Sequence, residues 1–183
     1  REVLLIADEV QTGLGRTGRW FGFEHGEDVR PDIVALAKAL GNGMPIGACW
    51  ARDEVAAAFR PGDHGSTFGG QPLAARAALT VLDVMEAEDV PKRAEAAGKR
   101  LAAALRATPG VVEVRGHGLL LAAELGPDAD AKAVQNACLE RGLVVNAVTA
   151  TALRLTPPLL ITDAEIDEGV SRLAAAIRST EAP

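Results

Sequence analysis

The chain has 183 residues, 48% of them hydrophobic and 24% charged, with a formal net charge of −6. That length supports one sizeable core, or a domain with a smaller appendage. The acidic balance speaks against a general nucleic-acid binder, whose contact face is basic. No apolar run reaches membrane-span length and no signal-peptide pattern is present. Two distant cysteines, Cys49 and Cys138, give neither a disulfide framework nor metal-ligand spacing, so a reducing cytoplasm is expected.

In chain order, Arg1-Glu2 leads directly into Val3-Leu4-Leu5-Ile6-Ala7, an apolar run that reads as a buried strand. A buried strand this early, with no initiator Met, points to a piece of a longer polypeptide. Asp8-Glu9-Val10-Gln11 follows, then a glycine-rich stretch over 12–18 and an aromatic segment over 19–25. Pro31-Asp32 precedes a strand over 33–36, which runs into Ala37-Lys38-Ala39. A Gly-Asn-Gly-Met-Pro loop over 41–45 leads to a strand over 46–51. Asp53 is placed to cap a short helix over 54–59, and 61–70 is again a loop.

Pro72 suits a first helical turn, and Leu73, Ala77, Val81 and Met85, widened by Leu82, recur at helical spacing. Pro91 opens a second helix to Ala107 with Leu101 and Leu105 on one face, ended by Thr108-Pro109-Gly110. Strands over 111–115 and 119–125 come next. Asp130 then caps a helix to Arg141, with Gly142 as its stop. Strands over 143–146 and 153–156 and a helix from Asp163 to near Ser179 complete a small α+β domain. The expected division is 1–108 for the end of a larger α/β domain and 109–183 for the small one.

Gly13-Leu14-Gly15-Arg16-Thr17-Gly18 fits the G-x-G-x-x-G pattern of dinucleotide-binding folds. That fingerprint needs glycines tight against the strand end and a long amphipathic helix opening at the third glycine. Here Asp8 to Thr12 intervene and Trp20-Phe21-Gly22-Phe23 is no such helix, so the pattern is rejected.

Asp8-Glu9 stands at the carboxyl end of a strand, where α/β sheets bind ligands, although acidic pairs there also serve as caps or solvated loop residues. A carboxylate in that position can keep a pyridinium nitrogen protonated. Lys38 is the only charge among the residues of 33–40. Such a lysine either snorkels to the surface or, if buried, becomes a nucleophilic amine suited to covalent chemistry with carbonyls. Together, each after a strand and beside a glycine loop, the two residues form a constellation.

Leu5-Ile6-Ala7-Asp8-Glu9-Val10-Gln11-Thr12-Gly13-Leu14-Gly15-Arg16-Thr17-Gly18, Pro31-Asp32-Ile33 and Ala37-Lys38-Ala39-Leu40-Gly41-Asn42-Gly43-Met44-Pro45-Ile46-Gly47-Ala48 resemble the class III (omega) aminotransferases. His64-Gly65-Ser66-Thr67-Phe68-Gly69-Gly70-Gln71-Pro72 and Val145-Asn146-Ala147 through Arg154-Leu155-Thr156-Pro157-Pro158-Leu159 direct the likeness to the subgroup that uses N²-acetylornithine. The resemblance runs through essentially the whole chain, with four separated motifs in order.

It implies a pyridoxal 5′-phosphate (PLP) cofactor on a fold-type-I α/β domain, followed by a small α+β C-terminal domain. It further implies Lys38 as the Schiff-base lysine and catalytic proton carrier, and Asp8 at the ring nitrogen. Val10 would lie on a ring face, and Gln11 at the phenolic oxygen. Thr67 would reach the phosphate of a neighbouring subunit's cofactor in a homodimer, while Arg154, with Ser66, would bind substrate. Apart from the likeness, Ser66-Thr67 reads as a cap beside a helix start that can hold an anion, and Arg154 as an edge-strand arginine whose planar fork suits a carboxylate. His64 and His117 receive no role.

The family's phosphate cup, ring-stacking aromatic and second substrate arginine precede the strand at which this chain begins, so the chain alone is expected to be inactive. The reaction implied is amino transfer from N²-acetylornithine to 2-oxoglutarate, in arginine biosynthesis. The alternatives are an ornithine or 4-aminobutyrate aminotransferase, or a non-catalytic dimerisation or binding module.

Overall fold

A computed structural model describes residues 3–180. Arg1 and Glu2, which the sequence places ahead of the first strand, lie outside the described residues. The chain divides into two compact units, Arg1–Pro91 and Lys92–Pro183. The division falls at the head of a helix rather than after Thr108, because that helix carries Ala94, Leu101 and Leu105 into the core of the second unit.

The first unit is built on a three-stranded sheet of β1 (Ile6–Asp8), β2 (Ile33–Leu36) and β3 (Ala48–Ala51). β1 runs parallel to β2, and β3 pairs antiparallel on the other side of β2. Asp32 ties the starts of β1 and β2 to the end of β3. Its side chain accepts from the Leu5 N–H at 2.7 Å and pairs with Arg52 Nε at 3.1 Å. Its own N–H donates to the Leu5 carbonyl at 2.8 Å. Central β2 buries Val34 completely. β1, by contrast, forms only the end of the apolar run, and Val3, Leu4, Leu5 and Ile6 are 82%, 56%, 47% and 62% exposed. The run is a strand edge of this unit and not the buried strand its composition implies.

The glycine-rich stretch after β1 is a series of turns leading to a 3₁₀ turn at Gly22–His25, with no long helix, in keeping with rejection of the dinucleotide pattern. β3 starts at Ala48 rather than Ile46. α1 (Asp53–Ala56) begins at Asp53, with Arg52 at its N-cap and no side-chain capping bond, so the expected Asp53 cap is absent and the helix stops short of Phe59. α2 (Pro72–Ala87) starts on Pro72 as expected. Its buried face is Ala74, Ala78 and Met85, whereas Leu73 is 70% exposed. The large residues suggested one stripe, and small alanines one position along form the packed one.

The second unit opens with α3 (Val90–Arg106), whose first two residues belong to the first unit by compactness. Its antiparallel sheet has the order β4-β5-β7-β6, with β4 (Val111–His117), β5 (Leu120–Leu125), β6 (Asn146–Ala147) and β7 (Ala152–Leu155). β6 is shorter and later than the strand expected over 143–146. α4 (Ala131–Glu140) is capped by Asp130, whose Oδ1 accepts from the N–H groups of Lys132 and Ala133 at 2.8 and 3.1 Å. Gly142, at φ +70°, follows as its stop. α5 (Asp163–Thr180) closes the unit.

Helices and sheet enclose a continuous core in which Leu105, Leu119, Leu153, Leu173 and Cys138 are fully buried. Burial pushes the Cys138 thiol up, which makes it a packing residue rather than a nucleophile. α3 packs so closely on the turn after β4 that a Cβ at Gly98 would lie 2.1 Å from the Gly118 carbonyl oxygen. Among the described residues no helix is long and apolar enough to cross a membrane.

Candidate active site

The parallel pairing of β1 and β2 sets Ile6, Ala7 and Asp8 opposite Ile33, Val34 and Ala35. The ladder continues one step further, as the Glu9 N–H donates to the Ala35 carbonyl at 3.0 Å. Asp8 and the segment that leaves β2 toward Lys38 therefore emerge at the same carboxyl end of neighbouring strands. In an α/β sheet that end is where ligands are held.

Lys38 begins a 3₁₀ turn, Lys38–Leu40, directly after an extended Ala37. Its φ is +46°, one of five positive values at non-glycine residues in the described chain. For an ordinary L-residue that conformation costs roughly 1 kcal/mol, and strain of this kind collects at functional positions. The alternative of a buried amine is not what the first unit presents: Lys38 is exposed. Asp8 is exposed as well, and its Oδ1 accepts from the Val10 N–H at 3.1 Å. Val10 and Gln11 are half-buried in the turn that follows. Ser66 and Thr67 lie in an exposed loop just ahead of α2.

Arg154 belongs to the second unit. It sits mid-β7 across from Asn146 of β6, whose side-chain oxygen accepts from its Nη2 at 3.3 Å. Its neighbour Leu153 is fully buried, so the arginine projects from the opposite face of the strand, as expected. Arg154 and Asn146 border a cavity of about 630 Å³ whose wall is otherwise largely apolar, including Leu143, Val145, Ile161 and Val170.

Glu9 and Thr12 were missed by the sequence reading. Glu9 is 4% exposed, on the face of the strand end opposite to Asp8. One of its oxygens accepts from the Gly22 N–H at 2.8 Å and from the Thr12 hydroxyl. The other accepts from the Phe23 N–H at 2.8 Å. A Cβ on Gly22 would stand 2.9 Å from Thr12 Cβ, so only glycine fits there. The available signal was strand alternation: if Asp8 faces outward, the next residue faces inward.

No group of three or more His, Cys, Asp or Glu side chains among the described residues could hold a metal ion. The donor set at the sheet end is a carboxylate and a strained, accessible primary amine. That set suits an organic cofactor with a basic ring nitrogen and a carbonyl carbon, and it offers no metal cage.

A profile of the aminotransferase class-III family matches residues 1–177. The chain belongs to the class-III aminotransferases. Acetylornithine aminotransferase of Methanopyrus kandleri is 50% identical over 97% of this chain and 46% of its own length. The enzyme of that name from Corynebacterium efficiens is 48% identical over 98% of this chain and 44% of its own. This class-III chain thus spans about half the length of the relatives it matches.

Among solved structures, ornithine aminotransferase of Toxoplasma gondii superposes with a TM-score of 0.88 at 40% identity, over 97% of this chain and 43% of that one. That structure carries PLP at partial occupancy in its active site. An S-selective transaminase from Arthrobacter superposes with a TM-score of 0.91 at 27% identity, over 99% of this chain and 45% of that one. The class is PLP-dependent, and the α/β architecture of the class-III chain is that of fold type I.

Proposed function

We propose that this chain serves as the C-terminal half of a PLP-dependent aminotransferase subunit and carries its catalytic lysine. The observation that supports the reading most is the emergence of Asp8 and Lys38 from one end of two neighbouring parallel strands, with Lys38 in a left-handed conformation. When bound, PLP supplies an electron sink that lets a proton leave the carbon bearing the substrate's amino group. Lys38 Nζ would hold the cofactor and, once the substrate's amino group has displaced it, would carry this proton from the substrate carbon to the cofactor's former carbonyl carbon. Asp8 keeps the ring nitrogen protonated through its carboxylate. Val10 packs against a ring face and Gln11 donates to the phenolic oxygen.

Ser66 and Thr67 are exposed in the loop ahead of α2. In a homodimer Thr67 takes the phosphate of the partner's cofactor, and Ser66 contributes to substrate binding. Arg154 binds a substrate carboxylate through its planar fork. The first unit then acts as the end of the cofactor-binding domain and the second as the small domain. The protein works in the cytoplasm, and the 183-residue chain alone is inactive.

The donor is N²-acetylornithine and the acceptor 2-oxoglutarate, a step of arginine biosynthesis, on the strength of relatives of that name at 50% and 48% identity. The ornithine aminotransferase likeness, at 40% identity and TM-score 0.88, supports ornithine as the second reading.

The test is a half-reaction on the complete PLP-loaded protein. N²-acetylornithine, ornithine and 4-aminobutyrate are added separately without keto acid, and the absorption band of the lysine-bound cofactor is followed. Fast loss with N²-acetylornithine alone is expected, and Lys38→Ala removes the band. A preference for ornithine replaces the first reading by the second. Absence of the band in the unaltered protein defeats both.

A further inference from the structure

We propose that Glu9 is a positioning residue, which sets the angle at which Asp8, Val10 and Gln11 meet the cofactor; this rests on the PLP reading above. The segment after β1 has no regular structure to fix it. From Val10 to Phe21 the chain is a succession of turns before the 3₁₀ turn at Gly22–His25. Three of the proposed cofactor contacts, Asp8, Val10 and Gln11, lie at the root of this loop.

Glu9 ties the loop down from both ends. Through its backbone it continues the β1–β2 ladder to Ala35 and accepts from the Gly13 N–H at 3.0 Å, which closes the turn bearing Val10 and Gln11. Through its carboxylate it holds Thr12 inside that turn, and Gly22 and Phe23 at the loop's far end. A side chain on the inward face of the strand end thus fixes the outward neighbours on either side of it. Because it is 4% exposed, water cannot substitute for these bonds.

The pattern of donors makes the position selective for a carboxylate. Both oxygens accept from backbone N–H groups that have no freedom to turn. An amide at the same position would set its NH₂ against either the Phe23 N–H or the Gly22 N–H with the Thr12 hydroxyl, whichever way it is flipped. One mismatched donor pair is enough to push the turn outward, and a displacement of about 1 Å at a catalytic contact can cost on the order of a hundredfold in rate.

The experiment uses the complete PLP-loaded protein with Glu9→Gln and, as a milder change, Thr12→Val, which removes one of the three donors. Four quantities are read: the position and pH dependence of the bound-cofactor absorption band, the PLP dissociation constant of the apoprotein, kcat with KM, and thermal stability. A positioning role predicts for Glu9→Gln a shifted band, weaker PLP retention and kcat lower by about a hundredfold with little change in KM. Thr12→Val follows in the same direction by a smaller factor, and carries the test if Glu9→Gln does not fold. A fall in thermal stability with band, PLP affinity and kcat unchanged overturns the proposal and leaves Glu9 as a packing residue. If the unaltered protein has no such band, the PLP reading itself has failed, a result distinct from either outcome.

Discussion

The two units solve the problem of a small core differently. In the second, four antiparallel strands and three helices bury Leu105, Leu119, Leu125, Leu153, Ile166 and Leu173 to 1% exposure or less. In the first, Val34 is the one large side chain buried to that degree among the described residues, while Val3, Leu4 and Ile6 at the sheet edge are more than half exposed. The second unit has the continuous buried core expected of an independently folding domain. The first is a small sheet that holds Asp8 and the approach to Lys38 at one end and leaves apolar surface uncovered. The candidate lysine and the deeply buried core thus lie in different halves of this chain.

The strongest way to break that comparison is to separate the halves. Residues 92–183 produced alone are expected to unfold in a single cooperative urea transition, and residues 1–91 alone to aggregate or show no transition, since an uncovered apolar edge is a template for association. A cooperative transition from the first segment would overturn the contrast.

Next in size come side-chain truncations. Leu153→Ala is expected to destabilise the second unit by about 2–5 kcal/mol, the range for a fully buried leucine. Leu4→Ala, made in the whole chain, should change stability by about 0.5 kcal/mol or less, as surface substitutions do. A large loss at Leu4 in urea melts would mean that this edge is covered in solution.

A modest effect concerns the cap of α5. Thr162 and Glu165 form a reciprocal box: the Thr162 N–H donates to Glu165 Oε2 at 2.7 Å and the Glu165 N–H donates to the Thr162 hydroxyl at 3.3 Å. Thr162→Ala should cost the second unit about 1 kcal/mol. The Thr162 N–H, then its hydroxyl, hold the Glu165 carboxyl below the usual range. A carboxyl lowered by folding contributes above its unfolded pKa, and the contribution is lost as pH falls through the lowered folded value. The stability gap between wild type and Glu165→Gln should therefore be widest near neutrality and close below about pH 4. A gap that stays constant with pH would remove the charge from the explanation.

Much of this was legible from the residues. The strand over 33–36, Pro72 as a helix start, the Asp130 cap and the Gly142 stop follow from local chemistry, and each is found where expected. The candidate site stands out in the sequence because Asp8 and Lys38 stand at or just past strand ends. What escaped depends on distant partners. Leu4-Leu5 reads as buried because composition reports propensity for burial, not whether a covering layer is at hand. α2 turns Ala74 and Ala78 inward, and small residues carry little signal in an apolar pattern. The left-handed φ of Lys38 and the inward carboxylate of Glu9 are set by the loops around them, which no local period encodes.

Asp32 has a consequence for how the chain is made. Its bond to the Leu5 N–H spans 27 residues, and its ion pair waits for Arg52 to arrive. On a ribosome, β1 emerges without the parallel neighbour that gives it a ladder or the side chain that anchors its start. With elongation at about 5–20 residues per second, that interval is on the order of seconds. Throughout it Val3-Leu4-Leu5-Ile6 is an apolar segment without its Asp32 anchor, a stretch to which a chaperone can bind.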